Sequence, residues 1–470
     1  MDIGARGWWL AEAGAVAPRP PLDTNVTADV VVLGGGYTGM WAAWHILERA
    51  PDARIVLLER DVCGEGPSGR NGGFVDSLVH AAPRLREVGG DAAARATIVE
   101  SIASVRAIGA WCEANAVDAW YRPAGQLVAS AAPAQDDSTS DRGGNEAIAA
   151  CVALRLGDEL RPLTAAEVQA RCASPVLRGG VLAPSTATVH PARLARGLRA
   201  RLLGRGVAIH EHTRVTGLHE RPGQATVTTA SGGAVTAGSA VLATGGRAIA
   251  AAPLRRALTL TSSHIVLTEP VPDVLEAVGW TGGEAITDGR HLVHYFRTTR
   301  DDRIVFGWGG GRIVCGARLQ PRDDADRFLA TRVIADLVRF FPMLRDRRVE
   351  HAWGGPIDAS PRHLPVVDSL PGGRAHVAFG YTGNGVGPSE LCGRILARMA
   401  LDDRDDLTRL PLVAPANRVL PPEPLRVAGG EAIRRALDGK ERAEETGRNP
   451  AMVNRLVARL PDLLGVHIGR

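Results

Sequence analysis

Lysine is almost missing from this chain. Of its 55 basic residues one, Lys440, is a lysine, and it lies in a charged segment near the C-terminus. A phosphate loop ending in Gly-Lys-Ser/Thr is therefore absent, and a pyridoxal Schiff base has no core lysine to form on. Aromatic residues are only 4% of the chain, so side chains able to frame a small substrate are few. Cysteine is sparse: Cys63, Cys112, Cys151, Cys172, Cys315 and Cys392 are widely spaced with no Cys-x-x-Cys pair. This excludes a disulfide framework and a clustered metal site, and leaves reduced packing thiols. Charge of one sign is lacking too. The 55 basic and 51 acidic residues give a net charge of +4, spread along the chain, which argues against a nucleic-acid partner. Residues 1–20 have no basic start and are interrupted by Glu12, a poor secretion signal, so a soluble cytoplasmic protein is expected. The uncharged stretch 30–47 has the length of a membrane span, but Gly34, Gly35, Gly36 and Gly39 break it.

What is present suits a soluble globular chain. It has 470 residues, 45% of them hydrophobic, and a mean hydropathy of −0.03. That length predicts two or three domains.

The segment 28–50 changes period halfway. Val30, Val31, Val32 and Leu33 form a continuous apolar run, as in a strand buried on both faces; Met40, Ala43, Trp44 and Leu47 then recur at helical spacing. Gly34, Gly36 and Gly39 fall on the intervening turn as G-x-G-x-x-G. They serve the tight turn, the close approach of a pyrophosphate and helix–strand packing. Tyr37 and Thr38 open the helix, whose N-terminus presents unpaired N–H groups and a positive dipole end. A second strand follows at 54–60 and carries Glu59, 20 residues beyond Gly39. A carboxylate there suits ribose hydroxyls and repels a 2′-phosphate. The combination predicts a dinucleotide site. Directly afterwards, residues 63–74 hold five glycines (Gly64, Gly66, Gly69, Gly72, Gly73) with Ser68, Arg70 and Asn71, a loop able to wrap main-chain N–H groups around a long ligand.

At this point the sequence resembles the FAD-dependent oxidoreductases of the D-amino-acid oxidase and glycine oxidase (DAO) family, nearest to the γ-glutamylputrescine oxidase-like branch. The resemblance rests on VVVLGGGYTGMWAA, SGRNGG, VLATGG at 241–246 and GYTGNGVGPS at 380–389, and spans about 5–435. It implies an α/β fold, with a discontinuous Rossmann-like FAD-binding domain and an antiparallel β-sheet substrate domain. It also implies non-covalent FAD. Gly34, Gly36 and Gly39 would hold the pyrophosphate, Glu59 the ribose, and Arg60 would lie by the adenosine. Ser68, Gly69, Arg70, Asn71, Gly72 and Gly73 would follow the pyrophosphate, ribityl chain and flavin edge. Val215 would meet adenine, and Ala243, Thr244 and Gly245 would close the nucleotide side. Gly380, Gly383, Asn384, Gly385 and Val386 would bring main-chain N–H groups and a helix start to the flavin pyrimidine, where the reduced ring is anionic.

The expected division is an N-terminal arm (1–27), an FAD domain (28–80, 176–250, 350–411), a substrate domain (81–175, 251–349) and a C-terminal helical extension (412–470). That last segment carries no catalytic motif and reads as a packed tail or oligomer contact. Residues 191–206 predict an amphipathic helix with Leu194, Leu198 and Leu202 on one face and five arginines on a solvated one. A polar exposed loop is expected at 132–145, and a hairpin turn at 300–303.

The implied chemistry is hydride transfer to flavin N5 from the C–N carbon of a small amine or amino acid. It gives an imine that hydrolyses, with oxygen or another acceptor taking the electrons. Tyr295 and Arg297, at i and i+2 on one strand face, are candidates to hold an anionic group, the alternative being a structural pair at a domain interface. His264 and Arg362 are weaker candidates, each with a structural alternative, and Trp353 reads as packing. Since Lys440 is outside the core, either another cation activates oxygen or electrons pass elsewhere. Two other readings stay open: a flavin dehydrogenase or tailoring enzyme acting on a C–C or C–O bond with a non-oxygen acceptor, and a flavoprotein subunit without turnover. Oligomeric state is not read from the sequence.

Overall fold

The strand Asn25–Leu33 is where the fold starts to be specified. Its residues 30–33 are buried, and it pairs in parallel with Ile55–Leu58 on one side and Ala234–Leu242 on the other. Ala208–His210 and Ala375–Phe379 extend the parallel array at its two ends. The hairpin of Gln224–Thr229 with Ala234–Leu242 and the antiparallel strands Val215–Arg221 and Val366–Ser369 complete eight strands. The computed structural model describes residues 1–4, 6–136, 144–316, 318–416, 419–463 and 466; half of the expected polar loop at 132–145, residues 137–143, lies outside them.

Helices cover one face of this sheet. Tyr37–Arg49 packs against Val386–Ala400 so closely that a Cβ on Gly393 would stand 2.6 Å from the Trp41 Cβ. The helix Pro191–Gly204 starts as its sequence predicts, with Pro191 in the first turn and Leu194, Leu198 and Leu202 buried. Its arginine face is not simply solvated, however. Arg199 is buried and ion-paired to the fully buried Glu211 at 2.7 Å, and Glu211 also accepts from the main-chain N–H of Cys63 and Arg19. Arg193 and Arg196 reach Glu12 and the Leu10 carbonyl. An aliphatic stem covers apolar surface while its guanidinium finds acceptors, so helical spacing alone does not mark such a face as solvated.

The second sheet has ten strands. Thr259–Thr268 lies between Val349–Ala359 and Ile304–Trp308, all antiparallel, and the array continues through His294–Thr298 and Ala285–Asp288 to Gln126–Ala129. Two contacts are parallel: Asp2–Ile3 with Val349–Ala359, and Ala285–Asp288 with Gln126–Ala129. The sheet is thus mixed rather than purely antiparallel. A turn at 299–303 joins two of its strands, as expected.

Several expected boundaries fall elsewhere. Val349–Ala359 and Gly180–Ala183 lie in the ten-stranded sheet, not with the nucleotide strands. Within the expected N-terminal arm, Trp8, Trp9 and Leu10 are buried in a cluster with Leu267 and Trp353. Strand pairing between remote segments decides these memberships, and composition does not encode it. Among the described residues no helix is long and apolar enough to cross a membrane.

Candidate active site

The turn after Asn25–Leu33 places Gly34 at φ +106°, a left-handed conformation that a residue with a Cβ resists. A Cβ there would also sit 2.4 Å from the Ala243 carbonyl oxygen. Gly39 fits just as closely, with a Cβ position 2.0 Å from the Gly34 carbonyl. The motif therefore closes strand, turn, helix and the 241–246 segment against one another. Glu59 locks this arrangement, accepting from Gly35 N at 2.7 Å and Asp61 N at 2.8 Å. Burial pushes its carboxyl pKa up, and those two N–H bonds oppose the shift. A carboxylate has about four lone-pair directions, so the capacity to accept from ribose hydroxyls remains.

From this turn a cavity of about 1350 Å³ runs to the ten-stranded sheet. That exceeds the roughly 300–1,000 Å³ usual for a small-molecule site and leaves room for a dinucleotide and a second ligand. Gly34, Gly36, Tyr37, Thr38, Glu59 and Arg60 line its nucleotide end. So do Val215, Ala243, Thr244 and Gly245. Ser68, Arg70, Asn71 and Gly72 line its middle, facing Gly383, Asn384, Gly385 and Val386. The glycine pattern fits FAD: at Gly245 an added Cβ would meet nothing within 4 Å, so the wall there is bare main chain beside open space.

Four expected cofactor contacts act instead from behind the wall. Gly39, Gly69, Gly73 and Gly380 do not line the cavity. Gly69 packs on the Gly64 carbonyl, and Gly73 on the Val189 carbonyl and Arg297. Gly380, at φ +78°, donates its N–H to Asp358 Oδ2 at 2.6 Å. Asn71 spends its side chain on its own loop, donating to the Pro67 and Ser68 carbonyls and accepting from Gly73 N. Ser68 Oγ accepts from Tyr37 N at 2.9 Å, stapling the loop to the nucleotide helix.

Of the four expected substrate residues the structure places one in the cavity. Tyr295 faces it, with its hydroxyl 2.6 Å from Ser263 Oγ, and burial pushes the phenol pKa up so that it keeps its proton. Arg297 does not reach the cavity. It is buried behind the loop and donates to the carbonyls of Gly73, Val189 and Thr298; burial, with the Arg122 charge nearby, pulls its pKa down to about 9. Same-face periodicity holds, but the bulk of the loop separates the two side chains. His264 is a core residue, 3.2 Å from Ser262 Oγ, with its pKa pulled down to about 4 by burial. Arg362 lies outside the main cavity, in a small surface cleft. Trp353 packs as expected and donates to the Arg70 carbonyl at 2.8 Å.

The sequence reading missed Asp358, Tyr381 and the C-terminal helix. Asp358 faces the cavity and ties the 380–382 turn through its carboxylate and carbonyl; burial raises its pKa to about 6. Tyr381 bonds Thr38 at 2.7 Å across the cavity. Tyr381 lies in the 380–389 segment that carries the resemblance and Asp358 lies in none of its quoted segments; no spacing rule chose either. The helix Leu425–Glu445 contributes Gly429, Gly430, Ile433 and Arg434 to the wall, so the extension is part of the site.

Residues 29–399 match the family described as DAO, FAD dependent oxidoreductase. The chain is 29% identical over 416 residues to gamma-glutamylputrescine oxidoreductase of Escherichia coli (strain K12), covering 86% of this chain and 91% of that protein. It is 28% identical over 418 residues to the probable oxidoreductase OrdL of Rhizobium meliloti (strain 1021), covering 86% and 90%. The fold is shared with glycine oxidase from Geobacillus kaustophilus, at TM-score 0.65 and 18% identity over 83% of this chain and 99% of that one. A glycine turn shaped for a pyrophosphate, a strand-end carboxylate and a family match over most of the sequence have one common reading: this chain belongs to the DAO family of FAD-dependent oxidoreductases.

Proposed function

We propose that this enzyme oxidises the C–N bond of a small amine or amino-acid-like substrate, giving an imine that water hydrolyses. The observation that carries the reading is the continuity of the cavity, from the Gly34 turn past the 68–72 loop to the Tyr295–Ser263 hydroxyl pair. Bound FAD supplies the hydride acceptor. The chain's own task is to hold the reacting carbon and exclude water. Gly34, Gly36 and the start of the Tyr37–Arg49 helix bind the pyrophosphate, Glu59 the ribose, and Gly383, Asn384 and Gly385 the flavin pyrimidine edge. Tyr295, held by Ser263, orients the substrate as a neutral hydroxyl. Leu260, Ile265 and Leu292 keep that end of the cavity apolar, which favours a neutral amine over an ammonium ion. The relative named gamma-glutamylputrescine oxidoreductase supports an amine substrate.

Non-covalent binding of FAD follows from the same geometry on the thiol side. None of the six cysteines lines the cavity, and Cys63, the nearest in sequence, is buried against Gly35. The electron acceptor is oxygen or another oxidant. Lys440 takes no part, being ion-paired to Glu444 at 2.6 Å and absent from the cavity wall. A cytoplasmic location is proposed with this function.

The test is anaerobic mixing of the holoenzyme with amines, N-alkyl amino acids and γ-glutamylated polyamines, followed by air. Loss of the flavin absorbance with at least one amine is expected. Bleaching by hydroxy acids alone would replace the reading with C–O oxidation.

A further inference from the structure

Resting on that reading, we propose that the C-terminal helix forms the far wall of the substrate chamber, and that Arg434 on it binds a carboxylate on the substrate's distal end. The residue lies beyond the family-matched segment 29–399, so the family match does not assign it.

The helix is held as a wall and not as a loose tail. Arg426 is buried and donates to the carbonyls of Arg255 and Leu258. Asp438 pairs with Arg332 at 2.7 Å, Glu441 accepts from His291 N at 2.8 Å, and Glu445 pairs with Arg290. These anchors fix the helix along both ends and its middle. Between them Gly430 lets the main chain approach the sheet, where an added Cβ would stand 3.2 Å from Ile313, and Gly429 fronts open space. Ile433 and Arg434 then face the cavity.

Arg434 is built to receive an anion. Its Nε and Nη2 contact Glu431 Oε2 at 3.0 and 2.9 Å, and its Nη1 donates to the Gly310 carbonyl at 3.3 Å. A guanidinium has five N–H donors, so these contacts orient the plane and leave two donors. Glu431 does not cancel the local charge. Its other oxygen accepts from Ile313 N, and Arg435 approaches the same carboxylate at 3.8 Å, so two cations share one anion. The other arginines around the cavity are less suited. Arg426 is spent on Glu423 and main-chain carbonyls, and Arg70, paired with Asp324, belongs to the loop at the middle of the cavity and not to its far wall. Arg60, Arg214 and Arg247 lie at the nucleotide end, among Glu59, Asp61, Val215 and Gly245. Leu260, Leu292 and Ile433 line the chamber as well, which suits an aliphatic spacer between the reacting amine carbon and the carboxylate. The chemical class is an amine carrying a distant carboxylate, for which planar, two-point recognition by arginine is the favoured geometry.

The test does not need turnover. The FAD-loaded enzyme is titrated with straight-chain carboxylates from butanoate to octanoate and with their neutral amides, and dissociation constants are read from perturbation of the flavin spectrum. At least one carboxylate should bind tenfold or more tightly than its amide. Arg434→Met should abolish that ratio, and Arg434→Lys should restore part of it. General damage to the chamber weakens acid and amide together and leaves the ratio intact. No preference for any carboxylate in the parent enzyme, or a preference that survives in Arg434→Met, would overturn the assignment. Failure of every amine to bleach the flavin would refute the proposed reaction while leaving this ratio measurable.

Discussion

At the Gly34 end of the cavity the walls are main chain, set by glycines within one strand–turn–helix unit and by the 241–246 segment packed on it. At the Arg434 end the walls are side chains from the ten-stranded sheet and from a helix more than a hundred residues later in sequence than the strand carrying Tyr295. The strand–turn–helix unit that forms the first admits no Cβ at Gly34 or Gly39, where an added carbon meets a carbonyl at 2.4 Å or less. The second can change residue by residue without moving the backbone. On the proposed reading, cofactor and substrate recognition fall on separate parts of the molecule, with the 68–72 loop between them.

The largest expected effect breaks the main-chain end. Gly34→Val combines the steric conflict with a positive φ and should give a protein that purifies without yellow colour; full flavin content would contradict the close-approach argument. Second is Arg297→Met, which removes the donor serving the Val189 carbonyl. It should lower stability by about 1–3 kcal/mol, seen as a fall in Tm, without a selective rise in substrate KM. A large, selective KM effect would reinstate Arg297 as an anion binder. Third, Glu59→Ala leaves Gly35 N and Asp61 N without their acceptor and takes away the ribose contact. FAD affinity should fall by about tenfold or more, the scale of a hydrogen bond to a charged group, as read by flavin release on dilution.

Smaller effects sharpen the contrast. His190, His264 and His376 are buried, and burial pulls their pKa values down to about 3, 4 and 4. Below the unfolded value near 6.5 the unfolded chain takes up protons that the folded one refuses. Stability should therefore fall as pH drops from 6.5 toward 4, by up to about 1.4 kcal/mol per pH unit for each group. His294 acts in the opposite sense: Asp288 and Asp336 hold its pKa up against desolvation, so it favours the fold at acid pH. Chemical denaturation at pH 6.5 and 5.0 measures the sum, which should be a net loss. The smallest change is Tyr295→Phe. Loss of a neutral hydroxyl contact should lower kcat/KM about fivefold, on the scale of 1 kcal/mol, with flavin content retained.

The nucleotide end was legible in the sequence because its signals are local. Gly34, Gly36 and Gly39 lie within six residues, and Glu59 terminates the adjacent strand. Even there the roles of Gly69, Gly73 and Gly380 came out as support behind the wall, since the sequence marks where a Cβ is forbidden but not which neighbour forbids it. The substrate end was read less well. Tyr295 and Arg297 share a strand face, yet only Tyr295 reaches the cavity, because the loop ending in Gly73 lies between them. The C-terminal helix looked like an appendage because its charged positions resemble any solvated surface.

The chain's order of residues determined a buried parallel strand, a glycine turn able to take a pyrophosphate, and a single lysine placed near the C-terminus. The first two depend on φ, ψ and side chains within a few positions. The tertiary structure decided which strands share a sheet, which arginines are spent on carbonyls, and that residues 425–437 face the same cavity as Gly34. Those outcomes depend on distances between segments hundreds of residues apart, fixed only when the packed core brings them into contact.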